Sequence, residues 1–179
     1  MFSSLQLPET GLSRVIDSFL TLLGRFANWL WLVLLFVIVG NVTLRYVFGE
    51  GRIELEELQW HLNSVAFLLA IVYGYRLDTH VRIDLISSQL SQRMQAWIEL
   101  YGTLLFLLPF VAMILVFSMP FVMHSFEAGE ISASPGGLPF RWLLKAMIPA
   151  TLILMLLAML SRLSRIWRLL TTEQEESAQ

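Results

Sequence analysis

The sequence predicts an all-α integral membrane protein with four transmembrane helices, preceded by an amphipathic helix that lies in the membrane interface. Apolar residues make up 56% of the chain and charged residues only 15%, against about a quarter charged in an ordinary soluble domain. The chain contains four apolar runs near the roughly 20 residues that a helix needs to cross a bilayer. These runs are continuous rather than alternating, which favours helices over the strands of a membrane barrel.

The N-terminal amphipathic helix is predicted over residues 12–25. Its apolar residues repeat at helical spacing, while Arg14 and Arg25 fall on the other side, a pattern typical of a helix that lies in the interface and leads into the first span. A plain helical extension of the first span is the alternative. The repeating apolar residues are Leu12, Val15, Ile16, Phe19, Leu20 and Leu23.

The four membrane spans are predicted at residues 26–46, 57–76, 97–123 and 141–163. The third span is the longest and contains Pro109 and Pro120, which lie about three turns apart on one face and should bend or loosen the helix. The polar, acidic segment 170–179 is predicted to be a flexible tail. The whole chain, 1–179, is then a single membrane domain.

The distribution of Lys and Arg favours a cytoplasmic location for both termini, because cytoplasmic loops carry an excess of these residues. With the N-terminus inside, the cytoplasmic side carries Arg14, Arg25, Arg76, Arg82, Arg93, Arg162, Arg165 and Arg168. The outer side then carries Arg45, Arg52, Arg141 and Lys145.

Composition and motifs argue against several classes of function. The net charge of −2 and the lack of a basic stripe with interleaved aromatics predict no nucleic-acid partner. The chain has no cysteine, no phosphate loop, no nucleophile elbow and no H-E-x-x-H motif, so we expect no enzyme activity, no metal and no cofactor. It also lacks an inverted repeat with paired broken helices, so we do not expect it to transport a substrate alone.

The second span carries polar and small residues along one helix face. Such residues permit close helix packing and interhelical hydrogen bonds in lipid. The stripe therefore predicts a partner-binding face, with packing inside the chain's own bundle as the alternative. The stripe begins at Glu56, and its predicted partner-binding residues are Gln59, Asn63, Ala70 and Gly74.

Four ionisable residues near the span ends leave alternatives open. Glu57 and His61 lie one turn apart and could form a charge-assisted pair or a proton relay, or simply be solvated or hydrogen-bonded. Together with His124, His61 could instead ligate a haem, which would make the chain a membrane anchor of a respiratory enzyme. Glu99 lies about one turn inside the third span, where we expect it to pair with an arginine or lipid head groups. A stand-alone exporter would require a carboxylate nearer mid-membrane.

A cluster of charges, YGYRLDTHVRIDL, separates the second and third spans. By the charge distribution this stretch is a cytoplasmic turn. Its arginines can reach lipid phosphates, and its aspartates can pair with them or cap the next helix. We therefore predict a tight, membrane-anchored turn that contains Arg76, Asp78, His80, Arg82 and Asp84.

Three motifs follow one another in order across the four spans: RYVFG, then EELQWHLNSVAFLLAIVYGYRLDTHVRIDL, then GGLP before the last span. Together they resemble the small membrane subunit (Q-type, DctQ-like) of tripartite ATP-independent periplasmic (TRAP) transporters, over roughly residues 20–165. The family commonly has a Trp two residues before the paired acids of the first outer loop, where this chain has Glu54. In this respect the chain looks more like the members associated with mannitol, chloroaromatic compounds and related organic acids.

The resemblance implies a bacterial inner-membrane protein that works in a complex without catalysis. A soluble periplasmic binding protein (P-type) captures the substrate, usually a carboxylate, and a large permease subunit (M-type) moves it with an ion gradient, normally sodium. The small subunit docks against the scaffold part of the large one and helps to receive the binding protein. We expect the polar stripe of the second span to contact the large subunit, and the outer acids Glu50, Glu54, Glu127 and Glu130 to contact the binding protein.

Overall fold

The fold is that of a computed structural model, which describes residue 5 and residues 7–79 and 90–177. The structure is 83% helical, and no strand occurs within these described ranges. The all-helical prediction is therefore confirmed. Its long helices are α1 (Gly11–Val47), α2 (Ile53–Leu77), α3 (Gln92–Glu127) and α4 (Arg141–Ser177).

Helix α1 is a single helix of 37 residues. A capping box starts it: the Thr10 hydroxyl accepts a hydrogen bond from the Ser13 N–H, and the Ser13 hydroxyl accepts one from the Thr10 N–H, both at 3.0 Å. No proline interrupts the helix that follows. The predicted interfacial segment 12–25 and the predicted first span 26–46 thus form one continuous helix.

The N-terminal part of α1 packs on the bundle through a narrow face. Leu20 is almost fully buried, whereas Leu12 and Val15 from the same apolar stripe are exposed. Gly24 lies against the ring of Tyr73 in α2, and a Cβ built on Gly24 would approach that ring to 2.3 Å. The glycine therefore permits a close approach of α1 and α2 that a larger residue would prevent.

Among the residues that the structure describes, three helices are long and apolar enough to cross a membrane: α1, α3 and the Arg141–Thr172 part of α4. Helix α2 has 25 residues but is less apolar, because Glu57, Gln59, His61 and Asn63 crowd its first half. Helix α2 packs against α1 and α4. The least apolar of the predicted spans is therefore flanked by two more apolar helices.

Helix α3 changes its winding before Pro109. Residues Thr103–Leu107 form a π-helical turn, in which the Leu108 N–H donates to the Thr103 carbonyl. Proline has no N–H and its ring clashes with the carbonyl four residues earlier, and a π-turn is one way to absorb that disruption. The predicted loosening at Pro109 is confirmed, whereas the α-helix continues through Pro120.

Helix α4 is the partner of α3 and extends beyond the predicted fourth span. It is helical to Ser177, so most of the segment predicted as a flexible tail, 170–179, is helical. Leu170 is buried there in a small apolar cluster with Leu5, Ala96 and Ile166. This packing explains why the helix continues past the expected membrane boundary.

The main apolar core lies where all four helices meet. Leu20, Val72, Val111 and Met159 contribute to it, one from each helix. Many large apolar side chains stay outside, among them Phe106, which is 75% exposed. Exposed apolar surface on this scale is typical of a protein that contacts lipid or other membrane helices.

Candidate functional site

A charged network joins the four helices at the end of the bundle where α2 ends. We call it the inner network, after the predicted cytoplasmic side; its charged members are Asp17, Asp78, Glu99, Arg162 and Arg165. Arg162 is central, because its guanidinium pairs with the Glu99 carboxylate and lies 3.0 Å from Asp78 Oδ2. Only 11% of the Arg162 side chain is exposed, so these pairs are largely shielded from solvent.

The second half of the inner network fastens the N-terminal part of α1 to α4. Asp17 accepts a hydrogen bond from the Ser161 hydroxyl at 2.7 Å and lies 3.5 Å from Arg165 Nη1. Arg165 Nη2 also donates to the Leu7 carbonyl at 3.0 Å. The single acid in this part of α1 therefore faces the bundle.

The end of α2 orients Asp78 toward Arg162. Asp78 adopts the left-handed conformation at φ 57°, which aspartate tolerates better than most residues. The Thr79 N–H and hydroxyl both donate to the Gly74 carbonyl at 3.2 Å, and this closes the helix end. The guanidinium of Arg162 also lies 6.0 Å from the ring centroid of Tyr75, within the range of a cation–π contact.

Only part of the predicted cytoplasmic turn can be located. Arg76 Nε is buried and has no hydrogen-bond partner among the described residues, so at least this part of the side chain faces inward. Arg76 lines a cavity of about 10 Å³ together with Asp17, Arg162 and Arg165. Asp78 serves the inner network, as described above. The other three predicted turn residues, His80, Arg82 and Asp84, lie outside the described residues.

At the opposite end, Glu57 fastens the loop between α3 and α4. Its carboxylate accepts hydrogen bonds from the Ser132 hydroxyl and from the Leu138 N–H, the latter at 2.6 Å. Gly137 lies so close that a Cβ would meet Ser132 Cβ at 2.4 Å and Glu57 Oε1 at 2.8 Å. Gly137, the glycine before Leu138 in the GGLP motif, is therefore required for this contact. We call the contact of Glu57 with Ser132, Gly137 and Leu138 the outer clasp.

His61 does not form the charge-assisted pair with Glu57 that its spacing allowed. His61 Nδ1 lies 2.7 Å from the Glu57 backbone carbonyl, while the Glu57 carboxylate serves the outer clasp. The hydrogen-bonded alternative therefore describes this pair of residues. His124 is exposed near the end of α3.

The four outer acids predicted to contact a binding protein have different environments. Glu54 and Glu127 are exposed, and Glu50 is also exposed but pairs with Arg52 at 3.0 Å. Glu130 is half-buried and pairs with Lys145, and it accepts a 2.6 Å hydrogen bond from the Ser125 hydroxyl. The hydrogen bonds from Lys145 and Ser125 hold the pKa of Glu130 below its usual range.

The polar stripe of α2 divides into two halves. Gln59 and Asn63 line a groove between the outer halves of α1 and α2, and Asn63 is exposed. Ala70 and Gly74 are half-buried nearer the inner end, and the Gly74 carbonyl is engaged by Thr79. The outer half thus borders the bundle surface, while part of the inner half serves the chain's own helix end.

These polar groups are arranged to fasten helices and loops. Within the described ranges, no cluster of three His, Cys, Asp or Glu side chains could hold a metal ion. The inner network joins four helices, and the outer clasp joins α2 to the α3–α4 loop. The chain is therefore an all-helical membrane protein whose principal charges serve its architecture.

The family model described as "Tripartite ATP-independent periplasmic transporters, DctQ component" matches residues 34–169. The chain thus belongs to the DctQ family, the small permease subunits of TRAP transporters. This is a family of transporter components rather than of enzymes, and the haem-anchor alternative finds no support in it. Neither a curated protein nor a solved structure matches the chain.

Proposed function

We propose that this chain is the non-catalytic scaffold subunit of a secondary-active TRAP transporter that imports an organic acid with an ion gradient, normally sodium. The family match over residues 34–169 carries this proposal. The arrangement of charges supports it, because Glu99 and Asp78 are engaged by Arg162. These carboxylates hold the bundle together, and the substrate and sodium sites belong to the large permease subunit.

The partner of the membrane surface is the large permease subunit (M-type). Exposed apolar side chains cover α1 and α3, and helix association in lipid depends on close packing and polar contacts. The α2 stripe contributes both close packing and polar contacts to this interface, through Gln59, Asn63, Ala70 and Gly74.

The partner of the outer surface is the periplasmic binding protein (P-type). Glu50, Glu54 and Glu127 are exposed at this end and attract basic groups on the arriving protein. Glu130 acts through the loop, because its pairing with Lys145 helps to fix the loop's position relative to α4.

The chain crosses the bacterial inner membrane four times with both termini in the cytoplasm. Five residues separate α1 from α2, so α2 turns back beside α1, and its 25 residues span about 37 Å. The first turns of α1 lie near the inner interface. The turn from Arg76 to Asp84 is cytoplasmic and close to lipid head groups.

The function is tested by deleting the chain from its host and measuring uptake of a panel of radiolabelled carboxylates, with and without a sodium gradient. We expect gradient-dependent uptake of at least one acid to disappear and to return with a plasmid copy. Unchanged uptake of the whole panel would contradict the proposal.

Reporter fusions after Ser177 and at Gly129 should lie on opposite sides of the membrane, and the same side for both would contradict the topology.

A further inference from the structure

A groove on the membrane surface of the bundle has polar groups at its base. It lies between the outer halves of α1 and α2 and has a volume of about 440 Å³. Its walls are mostly apolar or aromatic, with an ion pair at the outer rim. The residues that line it are Leu34, Ile38, Asn41, Val42, Arg45, Glu56, Gln59, Trp60 and Asn63.

One atom in each of two amide side chains of this groove has no hydrogen-bond partner among the described residues. Asn41 is 7% exposed, and its Oδ1 has no donor among the described residues. The Nε2 of Gln59 is likewise buried without an acceptor among the described residues. The base of the groove thus holds one acceptor and one donor that the described chain leaves unused, and each is covered until its side chain turns toward a partner. Buried polar groups normally find partners, because an unsatisfied group loses its hydration without compensation.

The depth of the two amides below the outer rim limits which groups can supply their missing hydrogen bonds. Arg45 and Glu56 form an exposed ion pair at 3.3 Å that marks the outer rim. Asn41 precedes Arg45 by four residues, so it lies about 6 Å below that rim along the helix, between walls that include Ile38. A lipid acyl chain offers no hydrogen bonds at this depth. A helix that carries a hydroxyl or amide side chain offers both a donor and an acceptor.

We propose that this groove receives a transmembrane helix of the large permease subunit, and that one hydroxyl or amide side chain of that helix bonds to both Asn41 Oδ1 and Gln59 Nε2. The inference rests on the proposed function and specifies one contact of its interface, at the outer halves of α1 and α2. Gln59 and Asn63 belong to this contact. Ala70 and Gly74 lie nearer the inner end, outside the groove, and contribute to the rest of the interface.

The proposal predicts opposite effects on the complex and on the isolated subunit. Asn41→Leu removes the unused acceptor at similar volume, so we expect roughly tenfold weaker association with the large subunit. The isolated subunit should unfold at an unchanged or higher temperature, because replacing an unpaired buried polar group with an apolar one is neutral or stabilising. Gln59→Met should behave in the same way.

Thr43→Val is the matched control. Thr43 lies on α1 at a similar depth but is exposed, and its hydroxyl bonds to the Val39 carbonyl of its own helix. We expect this variant to bind the large subunit like the wild type. Association is measured by co-purification at graded detergent concentrations, and stability by thermal unfolding of the isolated subunit.

Cross-linking gives a second measurement, because the chain has no native cysteine. A single cysteine at Ile38, within the groove, should cross-link to the large subunit through a short bifunctional reagent. A single cysteine at Phe36, which is 73% exposed and does not line the groove, should not. Cross-linking from Ile38→Cys alone supports the proposal, and cross-linking from Phe36→Cys alone overturns it.

The remaining outcomes separate this inference from the proposed function. If wild-type chain binds the large subunit and Asn41→Leu binds equally well, the groove faces lipid and only the inference fails. If Asn41→Leu destabilises the isolated subunit, the two amides satisfy each other and the inference also fails. Wild-type chain that captures no large subunit would overturn the proposed function and the inference together.

Discussion

Arg162 is the residue whose removal should cost the bundle most. It pairs with Asp78 of α2 and Glu99 of α3, and 23% and 15% of those two side chains are exposed. Arg162→Met therefore removes a cation that two largely shielded carboxylates contact. Breaking a buried pair in this way typically costs about 3–5 kcal/mol. In a domain of this size that corresponds to a drop of about 6–20 °C in the unfolding temperature.

The assay is thermal unfolding of the purified chain in one detergent, followed by tryptophan fluorescence. The triple variant Asp78→Asn, Glu99→Gln, Arg162→Met removes both carboxylate charges together with the cation, so we expect it to recover at least half of the loss. Arg93→Met is the control. Arg93 is an exposed arginine on α3, and its loss should change stability by no more than about 0.5 kcal/mol.

Two results would refute this account of the inner network. If Arg162→Met unfolds at the wild-type temperature, the network contributes nothing measurable to stability. If the triple variant is less stable than the single one, groups other than Arg162 satisfy the carboxylates.

Three further predictions concern the outer end and transport. Glu57→Ala removes the acceptor for the Leu138 N–H, so the Leu138 amide should exchange about tenfold faster, as measured by hydrogen-exchange mass spectrometry. The control Glu54→Ala should leave the exchange rate of Leu138 unchanged. Equal exchange rates in the two variants would contradict the outer clasp. Because the pKa of Glu130 is lowered in the folded chain, its stabilisation is complete above the ordinary value of 4.5 and is lost as the pH falls below it. The unfolding-temperature advantage of wild type over Glu130→Gln should therefore shrink below pH 4.5, and a constant difference from pH 7 to pH 3 would contradict this. His61→Ala and Glu99→Gln should leave the ion stoichiometry of the reconstituted transporter unchanged, and an altered ratio would place a coupling site in this chain.

The sequence predicted the helices well because their signal is local. Long apolar runs identify membrane helices without any knowledge of tertiary packing. The ends were less predictable. An amphipathic segment such as 12–25 has the same pattern whether it lies in the interface or extends a span, and the continuous helix follows from the absence of a break near residue 26. The burial of Leu170 depends on Leu5 at the other end of the chain.

The polar contacts were harder to predict because their partners are distant in sequence. Glu57 and His61 stand one turn apart, which indicated a local pair, yet Glu57 reaches Ser132 and Leu138, 75 and 81 residues away. Asp17 and Arg165 are 148 residues apart. A lone acid in an apolar helix was the available signal for Asp17, since such a residue needs a partner. The same argument applies to Asn41 in the first span.

The central claim, that this chain is a subunit bound to a large permease, is tested most directly by native mass spectrometry of the complex purified from its host through a tag on this chain. The account predicts an assembly that contains this chain and one much larger multi-span membrane protein, with no haem absorbance. The chain alone, or in complex with a haem-bearing respiratory enzyme, would contradict it.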